Sequence, residues 1–126
     1  MQQNLTGLLV QKYYIMNNIL VFTNDLELGT TLSEKLLHAN KKIIFVDNLD
    51  ELIENKDIFI IDLDDDEIKP DRIVKILEKD STIRIIGVMN EIKKSLWEDY
   101  REAGCEIIYL RSSLIKNIDS ILSKNN

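Results

Sequence analysis

From residue 18 onward the chain alternates between two rhythms. Short apolar bursts stand at "ILVF" (19–22), "KIIFV" (42–46), "IFII" (58–61), "IRIIGV" (83–88) and "EIIYL" (106–110). They are rich in Ile, Val and aromatic residues and show little period-2 polarity, which suits strands buried on both faces of a parallel sheet. The stretches between them follow a helical period. Leu28, Leu32 and Leu36 recur every four residues, as do Ile92, Leu96 and Tyr100. After the last burst, Leu114, Ile118, Ile121 and Leu122 line one helical face.

Helix punctuation agrees with this rhythm. Asn48 with Glu51 resembles a capping box ahead of a short helix over 49–54. Pro70 suits a first helical turn, where its missing N–H costs nothing. Asn90 and Ser112 or Ser113 are expected N-caps. Gly104 follows a helical run as a C-cap glycine does. Gly29 weakens the first helix by up to about 1 kcal/mol relative to alanine.

Five strand–helix units with short connections and right-handed crossovers predict an α/β, doubly wound, three-layer sandwich. The expected parallel sheet has the flavodoxin-like order 2-1-3-4-5, with its switch point between strands 1 and 3. Chemistry in such sheets sits at the carboxyl ends of the strands. Those ends carry Thr23, Asn24 and Asp25 (strand 1), Asp62 (strand 3), Val88 (strand 4) and Arg111 (strand 5). Residues 1–17 read as an N-terminal extension and 18–126 as the domain. The chain ends about four turns after strand 5, so a stand-alone domain without an output module is expected.

Composition narrows the function classes. A net charge of -6 repels phosphate backbones, which argues against nucleic acid as a partner. One cysteine and one histidine leave no room for a disulfide framework or a zinc site, which suits a reducing cytoplasm. No apolar run approaches the roughly 20 residues of a membrane span, so no membrane association is expected.

Three segments, in order and with their spacing, resemble the receiver domain of response regulators (CheY-like). "ILVFTNDLEL" stands where that family has strand 1 followed by two acidic residues. "DIFIIDLDDD" is similar to the strand that delivers the phosphoacceptor aspartate, and "REAGCEIIYLRSS" to the glycine, fifth strand and basic residue of a Lys-Pro step. The resemblance covers about residues 18–124. It implies a phosphoacceptor at Asp62, which would be modified by a histidine kinase with Mg²⁺ bound.

Position by position, the rest of the family's site is changed. The metal-holding acid pair falls on Thr23 and Asn24, with Asp64 nearby, and the carboxylate of Asp25 stands one residue too far along, where it would start the helix and point elsewhere. The phosphate-binding hydroxyl falls on Val88 and the lysine on Arg111, which keeps the charge without the compact ammonium. The switch aromatic falls on Ile108, with Tyr109 beside it on the opposite face. The resemblance therefore implies a degenerate receiver, or pseudo-receiver: no cofactor, with weakly bound Mg²⁺ the alternative, and contact with other signalling proteins as its mode of action. It also implies a homodimer through the helix after strand 4, strand 5 and the helix after strand 5.

Other readings compete at each position. Asp62 is either a phosphoacceptor or a strand-end carboxylate paired with Arg111. Asp62, Asp64 and Asp66 match the start of a calcium loop, but Glu67 and Ile73 stand where its glycine and final glutamate belong. Asp64 to Glu67 then read as solvated acids ahead of a helix. Thr30 and Thr31 are too deep in the first helix for a phosphate or flavin cradle. A small-molecule flavodoxin-like domain would need a deep, partly apolar pocket at the mouth between strands 1 and 3. His38 reads as a helix-end residue and Cys105 as a buried filler. Trp97, beside Lys93, Lys94 and Arg101, is either a cover for the sheet edge or an interface anchor.

Overall fold

The computed structural model describes residues 18–50 and 57–123. The apolar bursts become five parallel strands: β1 (Asn18–Phe22), β2 (Lys42–Phe45), β3 (Ile58–Asp62), β4 (Arg84–Met89) and β5 (Ile107–Leu110). Their order is β2-β1-β3-β4-β5, the flavodoxin-like arrangement. Helices α1 (Leu26–His38), α2 (Pro70–Lys79), α3 (Lys94–Ala103), α4 (Arg111–Leu114) and α5 (Ile118–Ser123) cover the two faces, with a 3-10 turn at Ile115–Asn117. The expected short helix over 49–54 lies, past Asp50, outside the described residues, as does the extension 1–17. Its capping-box asparagine makes an Asx turn, in which the Asp50 N–H donates to Asn48 Oδ1 at 2.9 Å.

The side-chain alternation of each strand divides the core into two layers. Leu20, Phe59, Ile61 and Ile85 pack with Ile73, Ile76 and Tyr100 of α2 and α3. Ile19, Val21, Ile58, Ile60 and Ile86 pack with Leu28, Leu32 and Leu36 of α1 and with Leu114, Ile118 and Ile121. Every residue of β3 is buried, so Asp62 is carried into the molecule on the most enclosed strand. Each fully buried Ile or Leu contributes about 1.5–3 kcal/mol through removal from water. That term fixes the register and thereby the height at which Asp62 emerges. The open side of the core is closed by Arg84, whose guanidinium grips both oxygens of Glu106 and donates to the Ile121 carbonyl at 2.8 Å.

Four expectations need correction. β2 is not buried on both faces, because it is the sheet edge and Lys42 and Phe45 are exposed. Asn90 does not cap the helix after strand 4. That helix starts at Lys94 behind Lys93, and Ile92 is exposed instead of joining the core face. The reason is tertiary: the Asn90 N–H donates to Asp64 Oδ2 at 2.6 Å, which ties the segment to the strand mouths before a helix can begin. Ser112 and Ser113 are not N-caps either, because the C-terminal helix begins one residue earlier at Arg111, behind Leu110. Finally, that helix is not continuous. Asn117 turns its amide back onto the Ser113 carbonyl at 2.7 Å, within the stretch that tightens to 3-10 geometry.

Candidate functional site

The carboxyl ends of β1, β3 and β5 converge on one polar cluster. Asp62, at the end of β3, is the only buried charged residue among those described. Its Oδ1 accepts from Arg111 Nη2 at 2.9 Å and from the Asp64 N–H at 3.1 Å. Its Oδ2 accepts from Arg111 Nη1 at 3.1 Å and from the Thr23 hydroxyl at 3.0 Å. The guanidinium thus forks both carboxylate oxygens, the strong and directional form of this pairing. It reaches further, with Nη1 at 3.2 Å from Asp25 Oδ2 and Nη2 at 3.1 Å from Asp64 Oδ2. One cation therefore binds three carboxylates.

Local sequence explains how each group arrives. Asp25 is the N-cap of α1, with Oδ1 accepting from the Leu28 N–H at 3.1 Å. Its second oxygen is left to face Arg111, so the expectation that it points away from the site is corrected. Thr23 accepts from the Asp25 N–H at 3.0 Å while its own hydroxyl donates to Asp62. Asn24 donates to Asp65, and Asp65 accepts from the Glu67 N–H at 2.9 Å. Asp64 and Asp65 are therefore tied into the loop network and are not simply solvated acids. Arg111 comes from the first residue of α4, directly after β5. Its pKa is raised, first by the hydrogen bond to Asp62 and also by the neighbouring carboxylates, with burial opposing.

The remaining candidate positions lie around this cluster. Val88 pairs in register with Asp62 and is fully buried in the α1 layer, with no hydroxyl to present. Ile108 points into the opposite layer, where it packs close to the position a Cβ on Gly87 would take. Tyr109 packs on the α1 side. Trp97 is half-buried against the α2–α3 layer, and the Arg101 guanidinium lies 5.7 Å from its ring centroid. It thus covers part of that layer, as one of the two readings expected, with the ring half-exposed. Sequence reasoning missed Asp25 and the Asn90 N–H as site groups. The carboxylate at Asp25 was a signal, but its second oxygen is placed only by the fold.

These residues do not fit a bound Mg²⁺. Thr23 and Asn24 supply no carboxylate, a guanidinium fills the space between Asp25, Asp62 and Asp64, and among the described residues no group of three His, Cys, Asp or Glu side chains is placed to hold a metal ion. Among the described residues Thr30 and Thr31 form no cradle for phosphate or flavin either. Thr30 and Thr31 donate their hydroxyls to the Leu26 and Glu27 carbonyls of their own helix, both at 2.9 Å. At the mouth between β1 and β3 Arg111 bridges Asp25 and Asp62, beside an open pocket of about 650 Å³ lined by Asn24, Asp25, Asp64, Asn90, Lys93 and Arg111 among others. A second groove, of about 340 Å³, runs from the end of β1 between α1 and β2 and is lined by Thr23, Asp25, Gly29, Thr30, Ser33 and Phe45 among others. Cys105 is buried, and burial pushes its thiol up to about 12, so no thiolate nucleophile is available. No helix among the described residues is long and apolar enough to cross a membrane.

No protein-family model and no curated protein sequence matches the chain. Solved structures do. A pilus assembly-related protein of Burkholderia pseudomallei superposes with a TM-score of 0.73 at 19% identity, over 89% of this chain and 90% of the other. A CheY-like response regulator receiver domain protein of Methanospirillum hungatei gives 0.71 at 14%, over 87% and 96%. A CheY-like protein, tadZ, of Pseudomonas aeruginosa gives 0.75 at 11%, over 87% and 99%. The chain has the fold of CheY-like receiver domains.

Proposed function

We propose that this domain is a receiver-fold signalling module that works by binding other proteins and passes no phosphate through Asp62. One observation carries the reading: the Arg111 guanidinium spans both Asp62 oxygens and also holds Asp25 and Asp64. To accept a phosphoryl group a carboxylate must present an oxygen in line with phosphorus, with its charge and that of the phosphate offset by a metal. Here the oxygens point into a fixed fork. The fixed positive charge already answers the acids, so the site is held in one state.

Two further features support the reading. Val88 offers no hydroxyl to a phosphate oxygen, and Ile108 is an aliphatic side chain packed in the core at the position where the family has a mobile aromatic. Among similar structures, two carry names in pilus assembly and not in phosphotransfer, which favours a binding role for the fold here as well. The surface formed by α3, β5 and α4, with the half-exposed Trp97, is the place for a signalling partner. Aromatic rings beside arginine are the usual anchors of such contacts.

The test is incubation with Mg²⁺ and acetyl phosphate, followed by intact-mass spectrometry. The protein is expected to keep its mass. An Mg²⁺-dependent phosphate adduct that disappears in Asp62→Asn would replace this reading with a working receiver that accepts phosphate on Asp62.

A further inference from the structure

The open edge of the sheet carries a pattern that matches itself. β2 is an edge strand, and its backbone groups alternate between β1 and solvent. The Val46 N–H donates to the Val21 carbonyl at 3.0 Å, so residues of even number bond inward and the N–H and C=O of Ile43 and Phe45 face outward. The same alternation sends Ile43 and Phe45 to the α1 side and Ile44 to the other. β2 is short and its one charged residue, Lys42, stands at its start; beyond that the edge has no proline and no inward charge, and Phe45 is 48% exposed.

We propose that two copies of this chain associate edge to edge through antiparallel β2 strands, with Ile44 on the two-fold axis. This is the one register in which every level agrees. Ile43 and Phe45 of the partner are then opposite each other, and both are residues whose hydrogen-bonding groups face outward. Lys41 falls opposite Asp47 of the partner on the α1 side, so the basic start of β2 meets the acidic end of its copy. Shifting the register by one residue would put inward-bonded groups opposite outward-bonded ones and break all three matches.

Helix α1 follows the same symmetry. Leu26, Thr30, Ser33 and Leu37 fall on one stripe at helical spacing, and that stripe has no charge. Leu26 is 86% and Leu37 74% exposed. The neighbouring exposed flank carries Glu27, Glu34 and His38. A two-fold axis through Ile44 sets the two stripes antiparallel on one face of the joined sheet, with Leu26 towards the partner's end of Leu37 and Phe45 beneath. The Phe45 ring lies under the helix at Gly29, 3.4 Å from where a Cβ would stand. Burial of these exposed apolar groups supplies the driving force, and the strand edge supplies the register.

The test uses the full chain in sedimentation velocity over a concentration series, with Ile44→Cys and Ile43→Cys oxidised in parallel. A dimer is expected. Ile44→Cys should form an intermolecular disulfide, because opposed Cα atoms at a non-hydrogen-bonded antiparallel site lie about 4.5 Å apart. Ile43→Cys should not, since it faces Phe45. Lys41→Asp should weaken the dimer roughly tenfold, because symmetry counts the pair twice, and Lys41→Asp with Asp47→Lys should restore it. A monomer at every concentration would overturn the proposal. So would a dimer that cross-links through position 43 and not 44, or one indifferent to the charge reversal.

Discussion

Arg111→Ala is expected to cost about 3 kcal/mol of folding stability, far more than loss of a surface ion pair. The side chain of Asp62 is only 8% exposed, and it loses both guanidinium bonds at once. What remains to it is the Thr23 hydroxyl and the Asp64 N–H, with Asp25 and Asp64 now facing it without a shared cation. The reverse substitution is expected to be milder. In Asp62→Ala the guanidinium keeps Asp25 and Asp64 and is itself 21% exposed, so the cost falls to about 1–2 kcal/mol. Urea denaturation of the two variants beside the parent measures this asymmetry. Equal losses would mean that the fork is not what holds Asp62. Excess Mg²⁺ is expected to recover part of the stability of Arg111→Ala and to leave the parent unchanged. That difference follows if the guanidinium answers the charge that a metal would otherwise meet.

Gly104→Ala is expected to cost about 2–3 kcal/mol. Gly104 has φ +126°, a conformation L side chains rarely adopt, and a Cβ there would come within 2.1 Å of Leu77 Cδ1. It closes α3: its N–H and that of Cys105 both return to the Tyr100 carbonyl, at 3.2 and 3.1 Å. The chain then enters β5, which delivers Arg111 to the acids, so strain at this turn is transmitted to the site. Gly29→Ala is the matched contrast. Gly29 lies inside α1, and its Cβ would make ordinary contact with the Phe45 ring, so the substitution is expected to stabilise by about 0.5–1 kcal/mol. Thermal melts of the two variants should move in opposite directions.

Much of the scaffold was legible in the sequence because it depends on burial. The strands, the α1 face of Leu28, Leu32 and Leu36, the first-turn Pro70 and the closing Gly104 follow from periodicity and backbone chemistry alone. The contact between Asp62 and Arg111 was legible as a pairing the fold permits, the long guanidinium reaching across the end of β4 from β5 to β3. The details around it were not. Asn90 looked like a helix cap because asparagine caps helices locally, but its N–H is claimed by Asp64 from a different strand end. Asp25 looked one residue out of place because spacing describes the backbone, whereas its second oxygen reaches the site by side-chain length. Ile92 carried the right period for a core face and lies outside the helix. In each case a long-range hydrogen bond decided between local preferences of similar strength, and no local pattern records it.

Arg111 is proposed to hold Asp62 in a single state. The most direct test is to follow the ¹H–¹⁵N NMR signals of Thr23, Asp64, Val88 and Asn90, and the Arg111 guanidinium, while Mg²⁺ and then beryllofluoride are added to the folded protein. The account predicts that these signals stay where they are. Saturable shifts centred on Asp62, with the Arg111 guanidinium signals released, would contradict it.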